Sequence, residues 1–147
     1  ERGQLYRAKL LVACGIVFLN LVLFMLLTIL AGLIVAPQNQ SMPEEFIYAP
    51  LLCIIASLPV IAVQYYLSMK FENIAVPLGI GLVFSLPAVL IDNTGYWMFF
   101  PWDYPGRVLV GAANESFNFP PYMYAVSVIL FIVFTLVGEK EFKKRDI

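Results

Sequence analysis

The sequence predicts an all-α membrane protein, a polytopic bundle of about four transmembrane helices. Hydrophobic residues make up 61% of its 147 residues and charged residues only 13%, whereas a soluble domain carries roughly 25% charged residues. Residues 10–35 form an apolar run without a single charged side chain. Nearly all basic residues fall on one side of the spans that hydropathy defines. A chain of this length cannot bury so much apolar surface in a soluble core.

The first predicted span covers residues 10–35. At about 1.5 Å of rise per residue, a helix of this length measures close to 40 Å. That exceeds the roughly 30 Å of a bilayer's hydrocarbon core, so the helix crosses with some tilt. Arg2, Arg7 and Lys9 precede the run, and charge therefore ends where lipid would begin. The sequence opens on Glu1 without an initiating Met, and we expect it to be part of a longer chain.

The remaining predicted spans are 50–69, 74–91 and 122–137. Pro59 lies midway through the second span, where it removes a backbone hydrogen bond and is expected to kink the helix. The third span contains two prolines and two glycines, and we expect it to bend or partly unwind. The fourth is predicted to end at Gly138, before a charged tail.

The basic residues predict the orientation. Four antiparallel spans put all but one of the nine Lys and Arg residues on a single side of the membrane. Only Arg107 falls on the other side. By the positive-inside rule, both termini are predicted to be cytoplasmic. The eight residues on the inner side are Arg2, Arg7, Lys9, Lys70, Lys140, Lys143, Lys144 and Arg145.

The predicted outer loop, residues 92–121, is rich in aromatic side chains. Its apolar pieces, 96–102 and 108–113, are too short to cross and are predicted to form two short helices on either side of a Pro105-Gly106 turn. Two interpretations remain open: an aromatic belt that anchors the loop, or a functional gate. The candidate gate residues are Trp97, Phe100, Pro101, Trp102 and Tyr104.

No acidic or basic side chain lies inside any predicted span. This argues against a proton-coupled carrier, which needs an ionisable residue at membrane depth. The polar and proline residues in the spans are candidates for hinges or a polar path, or alternatively for interhelical ties and packing adjustments. They are Asn20, Pro59, Gln64, Pro77, Ser85 and Pro87.

Enzyme chemistry finds little support in the sequence. The chain contains no His, the usual general base and the commonest metal ligand. Cys14 and Cys53 lie in different spans without metal-ligand spacing and are expected to be small apolar fillers. Asp92 and Asp103 are expected to be solvated loop acids. We therefore predict no catalytic, cofactor-binding or metal site, and the net charge of −1 speaks against nucleic-acid binding.

The entry to the first span suggests a family. The long apolar helix is entered through Arg2, then Leu5-Tyr6, then Ala8-Lys9-Leu10-Leu11. This pattern resembles the entry to the third transmembrane helix in permeases of the ABC-2 type, above all the subset that exports, or confers immunity to, lantibiotic and other antimicrobial peptides.

The second half of the sequence agrees with this resemblance. The outer loop with Phe100-Pro101-Trp102 and Tyr104-Pro105, followed by a last span and a basic tail, is similar to the final extracellular segment of these permeases. The likeness covers the whole chain but corresponds to the last four of the family's six spans. It therefore implies two more spans and a coupling helix before Glu1.

The resemblance implies the transmembrane subunit of an ATP-driven ABC exporter in the bacterial plasma membrane, moving an amphipathic peptide, an antibiotic or another hydrophobic substrate. ATP and Mg would be bound by a separate ATPase subunit, and a second permease chain would complete a homodimer or heterodimer. The residues nearest the ATPase would be Arg2, Tyr6, Arg7 and Lys9. The alternative is a four-span, non-transporting scaffold or sensor.

Overall fold

The computed structural model describes residues 2–35, 45–91, 94–113 and 120–144. These residues form five α-helices and one 3-10 helix, and no strand occurs among them. The prediction of an all-α helical bundle is confirmed. In chain order the elements are α1 (Arg2–Val35), α2 (Glu45–Lys70), α3 (Ala75–Ile91), the 3-10 helix (Gly95–Phe99), α4 (Tyr104–Ala113) and α5 (Pro121–Lys144).

Three of the described helices are long and apolar enough to cross a membrane. The segments are Gly3–Ile34, Tyr48–Lys70 and Pro121–Lys144. The 17 residues of α3 extend about 25 Å, near the lower limit for a span. The chain is therefore a membrane-embedded helical bundle with three long apolar helices and a fourth, shorter one.

The helix α2 lies at the centre of the bundle and contacts each of the other α-helices. One face carries the small residues Ala49, Cys53 and Ala56, all buried. Their spacing places them on one stripe, and small side chains let neighbouring helices approach closely. Tyr104 and Val108 of α4 and Met123 of α5 complete this core.

By contrast, α1 is exposed over most of its length. Only 6% of its most apolar window is buried in the protein. Its main contacts are with α2 and α5, and its buried residues are Tyr6 and Leu10 near its start. A helix that is apolar all round and leaves most of that surface uncovered is suited to contact with lipid.

The helix α5 extends beyond the predicted span. It does not stop at Gly138 but continues through the charged residues to Lys144. Gly138 is buried beneath Tyr6, whose hydroxyl and ring occupy the space that a Cβ would fill. The glycine serves close helix packing and does not end the helix.

The predicted turn at Pro105-Gly106 is wrong. Both residues lie in the first turn of α4, where backbone N–H groups have no intrahelical partner and a proline is tolerated. The third span is not unwound, since α3 is one continuous α-helix, while its bending stays a prediction. Asn73 caps α3 by accepting a hydrogen bond from Ala75 N at 2.9 Å, and Pro77 follows within the first turn.

Candidate functional site

One end of the bundle carries an ion cluster formed by Arg7, Glu139 and Lys143. Arg7 Nε donates to Glu139 Oε2 at 2.9 Å, and Arg7 Nη2 donates to Oε1 at 3.0 Å. Lys143 Nζ lies 2.7 Å from the same Oε1. The carboxylate is nearly buried, whereas both cations are exposed. A two-pronged Arg–carboxylate pair fixes orientation as well as distance, so this cluster ties the start of α1 to the end of α5.

Glu139 follows the last apolar residues of α5 and lies in its charged end. The hydrogen bonds from Arg7 and Lys143 lower the pKa of Glu139 to about 2. Opposite charge and hydrogen bonding to the ionised form outweigh the opposing effect of burial. The carboxylate is therefore ionised at every physiological pH.

Tyr6 lies beside the ion cluster and is completely buried. Its ring makes an edge contact with Tyr65 at 4.9 Å between centroids and a tilted contact with Phe142 at 5.8 Å. The Tyr65 hydroxyl donates to the backbone carbonyl of Tyr6 at 3.0 Å. These contacts pack α1, α2 and α5 against one another at this end.

The four residues predicted to lie nearest an ATPase have different surroundings. Arg7 belongs to the ion cluster, and Tyr6 is a core residue without an exposed surface. Lys9 is exposed. Arg2 is the first residue of α1, and its side chain lies outside the described part of the structure.

The opposite end of α2 and α5 is covered by the 3-10 helix, the short connection after it and α4. Together they form an aromatic cap of Trp97, Phe100, Trp102 and Tyr104. Tyr104 is 1% exposed, and its hydroxyl donates to the Met98 carbonyl. Trp97 packs edge-on against Tyr104 at 6.4 Å.

Arg107 and Asp103 support this half of the cap. The Arg107 guanidinium lies 4.1 Å from the centre of the Trp97 ring, a cation–π contact. Arg107 Nε also donates to Asp103 Oδ2 at 3.0 Å. Asp103 is buried and paired, so the expectation that it is a solvated loop acid is wrong. Asp92 lies outside the described residues.

The other half of the cap is attached to α3. The Trp102 ring stacks on Phe84 at 5.0 Å between centroids, and Phe100 lies 6.3 Å from Phe84 and 6.0 Å from Trp102. Pro101, between the two aromatic residues, is half-buried. All five predicted gate residues thus lie in one packed assembly, which joins α3 to α4.

Gln64 connects α2 to α3 inside the apolar region. With its amide oriented by its hydrogen-bonding neighbours, the nitrogen donates to Pro77 O at 3.0 Å and the oxygen accepts from Gly81 N at 3.2 Å. The side chain therefore bridges α2 to the backbone of α3. A Cβ at Gly81 would collide with this amide.

The other predicted hinge or path residues make no such connection. Asn20 Nδ2 donates to Ile16 O at 2.9 Å, and Ser85 Oγ donates to Gly81 O at 2.7 Å, both within their own helices. Pro59 is buried inside the uninterrupted α2, and Pro87 lies within α3.

The comparisons with known proteins give a family. A family model described as "Protein of unknown function (DUF2705)" matches residues 1–147. The chain belongs to the DUF2705 family. No curated protein and no solved structure matches it.

Several residues that organise the two ends of this DUF2705 protein are not predicted by the sequence pattern alone. Asp103 and Arg107 are four residues apart, which is the spacing of an ion pair on a helix. This spacing is informative only once it is known that α4 begins at Tyr104. Glu139 pairs with Arg7 across 132 positions, and sequence spacing carries no signal of such a contact. Among the described residues, no group of three His, Cys, Asp or Glu side chains could hold a metal ion.

Proposed function

We propose that this protein is the transmembrane subunit of an ATP-driven exporter of the ABC-2 type in the bacterial plasma membrane, moving amphipathic peptides or other hydrophobic substrates. The observation that carries the proposal is the ion cluster of Arg7, Glu139 and Lys143 beside the buried Tyr6. A partner that displaces the polar start of α1 would move α5 with it, because these contacts join the two helices.

The partners follow from the same proposal. An ATPase subunit would bind ATP and Mg and act on the charged end of the bundle, while this chain binds no cofactor of its own. A second permease chain, identical or homologous, would complete the transport path, and the exposed apolar surface of α1 is available to it and to lipid.

The proposed topology has four crossings with both termini in the cytoplasm. Contacts at the two ends of the bundle support it. At the charged end, α2 finishes beside α5, where the Tyr66 hydroxyl lies 2.9 Å from Glu141 Oε2. The start of α5 packs at the opposite end, where Met123 joins the core around Tyr104. The chain must therefore return across the bundle between α2 and α5, and α3 is the helix in position to do so.

The short length of α3 is compatible with this crossing. A span somewhat shorter than the hydrocarbon core is accommodated by local thinning of the bilayer at modest cost. The Phe84–Trp102 stack joins the middle of α3 to the aromatic cap, and aromatic rings are favoured at the membrane interface. The nine basic residues remain divided eight to one across the membrane in this arrangement.

The export proposal predicts a specific effect of Trp97→Ala and Trp102→Ala. Both changes remove ring contacts of the cap, and we expect each to reduce export or peptide resistance more than the amount of protein in the membrane. Activity and membrane level are measured in the same cells, with Tyr96→Ala as control because that ring is 74% exposed. Equal loss of activity and protein would mean that the cap only anchors the fold.

A four-span scaffold or sensor is the second candidate. The observation that favours it is the close packing of the cap, in which Tyr104 and Val108 are almost completely buried. Such a cap suits a fixed structure as well as a gate. The identity of the copurifying partner distinguishes the two functions.

A further inference from the structure

A groove of about 470 Å³ opens between α1, α2 and α3. Its walls are mainly apolar, and Ala13, Val17, Ile61 and Leu78 are among the residues that line it. The groove extends along α2 from Val60 to Ser68, a distance of about 12 Å along the helix axis. It lies in the half of the bundle nearer the ion cluster, because Tyr65, which lines the groove, also donates to the carbonyl of Tyr6 beside that cluster.

The polar side chains of the groove are already bound within the protein. The Gln64 amide bridges to the backbone of α3, the Tyr65 hydroxyl donates to Tyr6 O, and the Ser68 hydroxyl donates to Tyr65 O at 2.8 Å. The donors of both hydroxyls, and one donor and the acceptor of the amide, are thus used internally. A ligand rich in polar groups, such as an extended peptide backbone, would find few partners among these three residues and would lose hydration without full compensation. The groove is therefore suited to an apolar chain.

The volume of the groove is that of a small-ligand site. Its 470 Å³ falls within the range of about 300–1,000 Å³ typical of such sites, and a single flexible hydrocarbon chain fits this space. A second copy of the protein is the competing apolar occupant. The charge beside the groove favours the lipid, since an anionic phospholipid offers an acyl chain and a negative headgroup together.

About one helical turn before the groove, α1 carries the positive charge of Lys9. Lys9 precedes Ala13 by four residues and Val17 by eight, so the three lie on one face of α1. Lys9 is exposed, and among the described residues no carboxylate pairs with it. A lysine at the membrane boundary attracts anionic headgroups. We propose that the groove binds one acyl chain of an anionic phospholipid, whose headgroup phosphate pairs with Lys9.

The test uses the purified protein in mild detergent with phosphatidylglycerol or phosphatidylcholine of identical acyl chains, and native mass spectrometry counts the bound lipid. We expect one phosphatidylglycerol to be retained in preference to phosphatidylcholine. Val17→Trp fills the groove and should abolish retention. Leu19→Trp is the matched control, because Leu19 is 69% exposed on another face of the same helix, and it should retain the lipid.

A charge variant tests the headgroup contact separately. Lys9→Gln should lower the preference for phosphatidylglycerol about fivefold, the effect of one basic residue near an anionic surface, while Lys140→Gln should not. Equal retention by Val17→Trp and Leu19→Trp, or no retained lipid in the unmodified protein, would overturn the proposal. So would a protein dimer that Val17→Trp dissociates, since a second copy would then occupy the groove. None of these readouts requires an ATPase, so the export proposal stands or fails independently.

Discussion

Gly138 and Tyr6 form a close contact between α1 and α5. The Tyr6 hydroxyl and ring fill the position of a Cβ on Gly138, and such a Cβ would also lie 3.3 Å from Tyr66 Cδ2. Tyr6 cannot retreat easily, because its ring also packs against Tyr65 and Phe142. The absence of one methyl group at this position lets the three helices meet.

We predict that Gly138→Ala destabilises the protein by about 1–3 kcal/mol, the usual cost of inserting a methyl group into a packed interior. Thermal unfolding in detergent measures the effect. Gly15→Ala is the control, since nothing lies within 4 Å of a Cβ built there, and alanine favours helix. The control should unfold at the same temperature as the unmodified protein or higher. Similar unfolding temperatures for the two variants would contradict the packing assigned to Gly138.

Glu139→Gln is predicted to destabilise the bundle because Arg7 and Lys143 would face each other without their carboxylate. Glu72→Gln should have little effect, since Glu72 is exposed. The pKa of Glu139 is lowered from 4.5 to about 2, so its contribution is present above pH 4.5 and lost as the pH falls toward 2. The difference in unfolding temperature between the unmodified protein and Glu139→Gln should therefore be constant from pH 8 to 5. A difference that disappears at neutral pH would contradict the ion cluster.

At the scale of elements, α3 is held at two points. Near its start the Gln64 amide bridges Pro77 and Gly81, and farther along Phe84 stacks on Trp102. Its other contacts with the described residues are few, and most of its large apolar side chains are exposed. These two attachments set how firmly α3 stays against α2.

Gly81→Ala is predicted to loosen α3, because a Cβ there displaces the Gln64 amide from the α3 backbone. Gly79→Ala is the matched control, with nothing within 4 Å of its Cβ. Hydrogen–deuterium exchange measures the effect, and exchange in 75–91 should rise in the first variant only. Gln64→Leu should reproduce the rise. Unchanged exchange in both Gly81→Ala and Gln64→Leu would show that the bridge does not hold the helix.

The elements also show which features a sequence pattern can predict. Long apolar runs predicted α1, α2 and α5, since hydrophobicity over 20 residues depends only on local composition. The end of α5 could not be predicted, because Gly138 is a helix-ending residue by local preference and a packing residue only in contact with Tyr6. The role of Gln64 likewise depends on the closeness of Gly81, which sequence spacing does not encode.

For the whole molecule, the two ends of the bundle have different chemistry. The charged end joins α1, α2 and α5 through Tyr6, Tyr65 and the ion cluster. The other end is closed by the aromatic cap, which rests on α2 and stacks against α3. Composition and charge distribution predicted this polarity, whereas the residues that form the contacts became evident only in the fold.

This division is the physical basis of the export proposal. A force applied to α1 at the charged end would be transmitted to α5 through Glu139. The helix α3 is attached at two points, so it is the helix that can most easily change its position. The cap would then change its contact with α3 at the Phe84–Trp102 stack. Export by this mechanism requires a partner that hydrolyses ATP and binds at the charged end.

The most direct test is to purify the native gene product from its own membrane in mild detergent and to determine the masses of the bait and of the proteins that accompany it. The export account predicts an ATPase of the ABC class in the complex, and its loss on Arg7→Glu but not on Lys140→Glu. A protein that purifies alone, or with a membrane protein that is not an ATPase, would contradict the account and favour the scaffold or sensor.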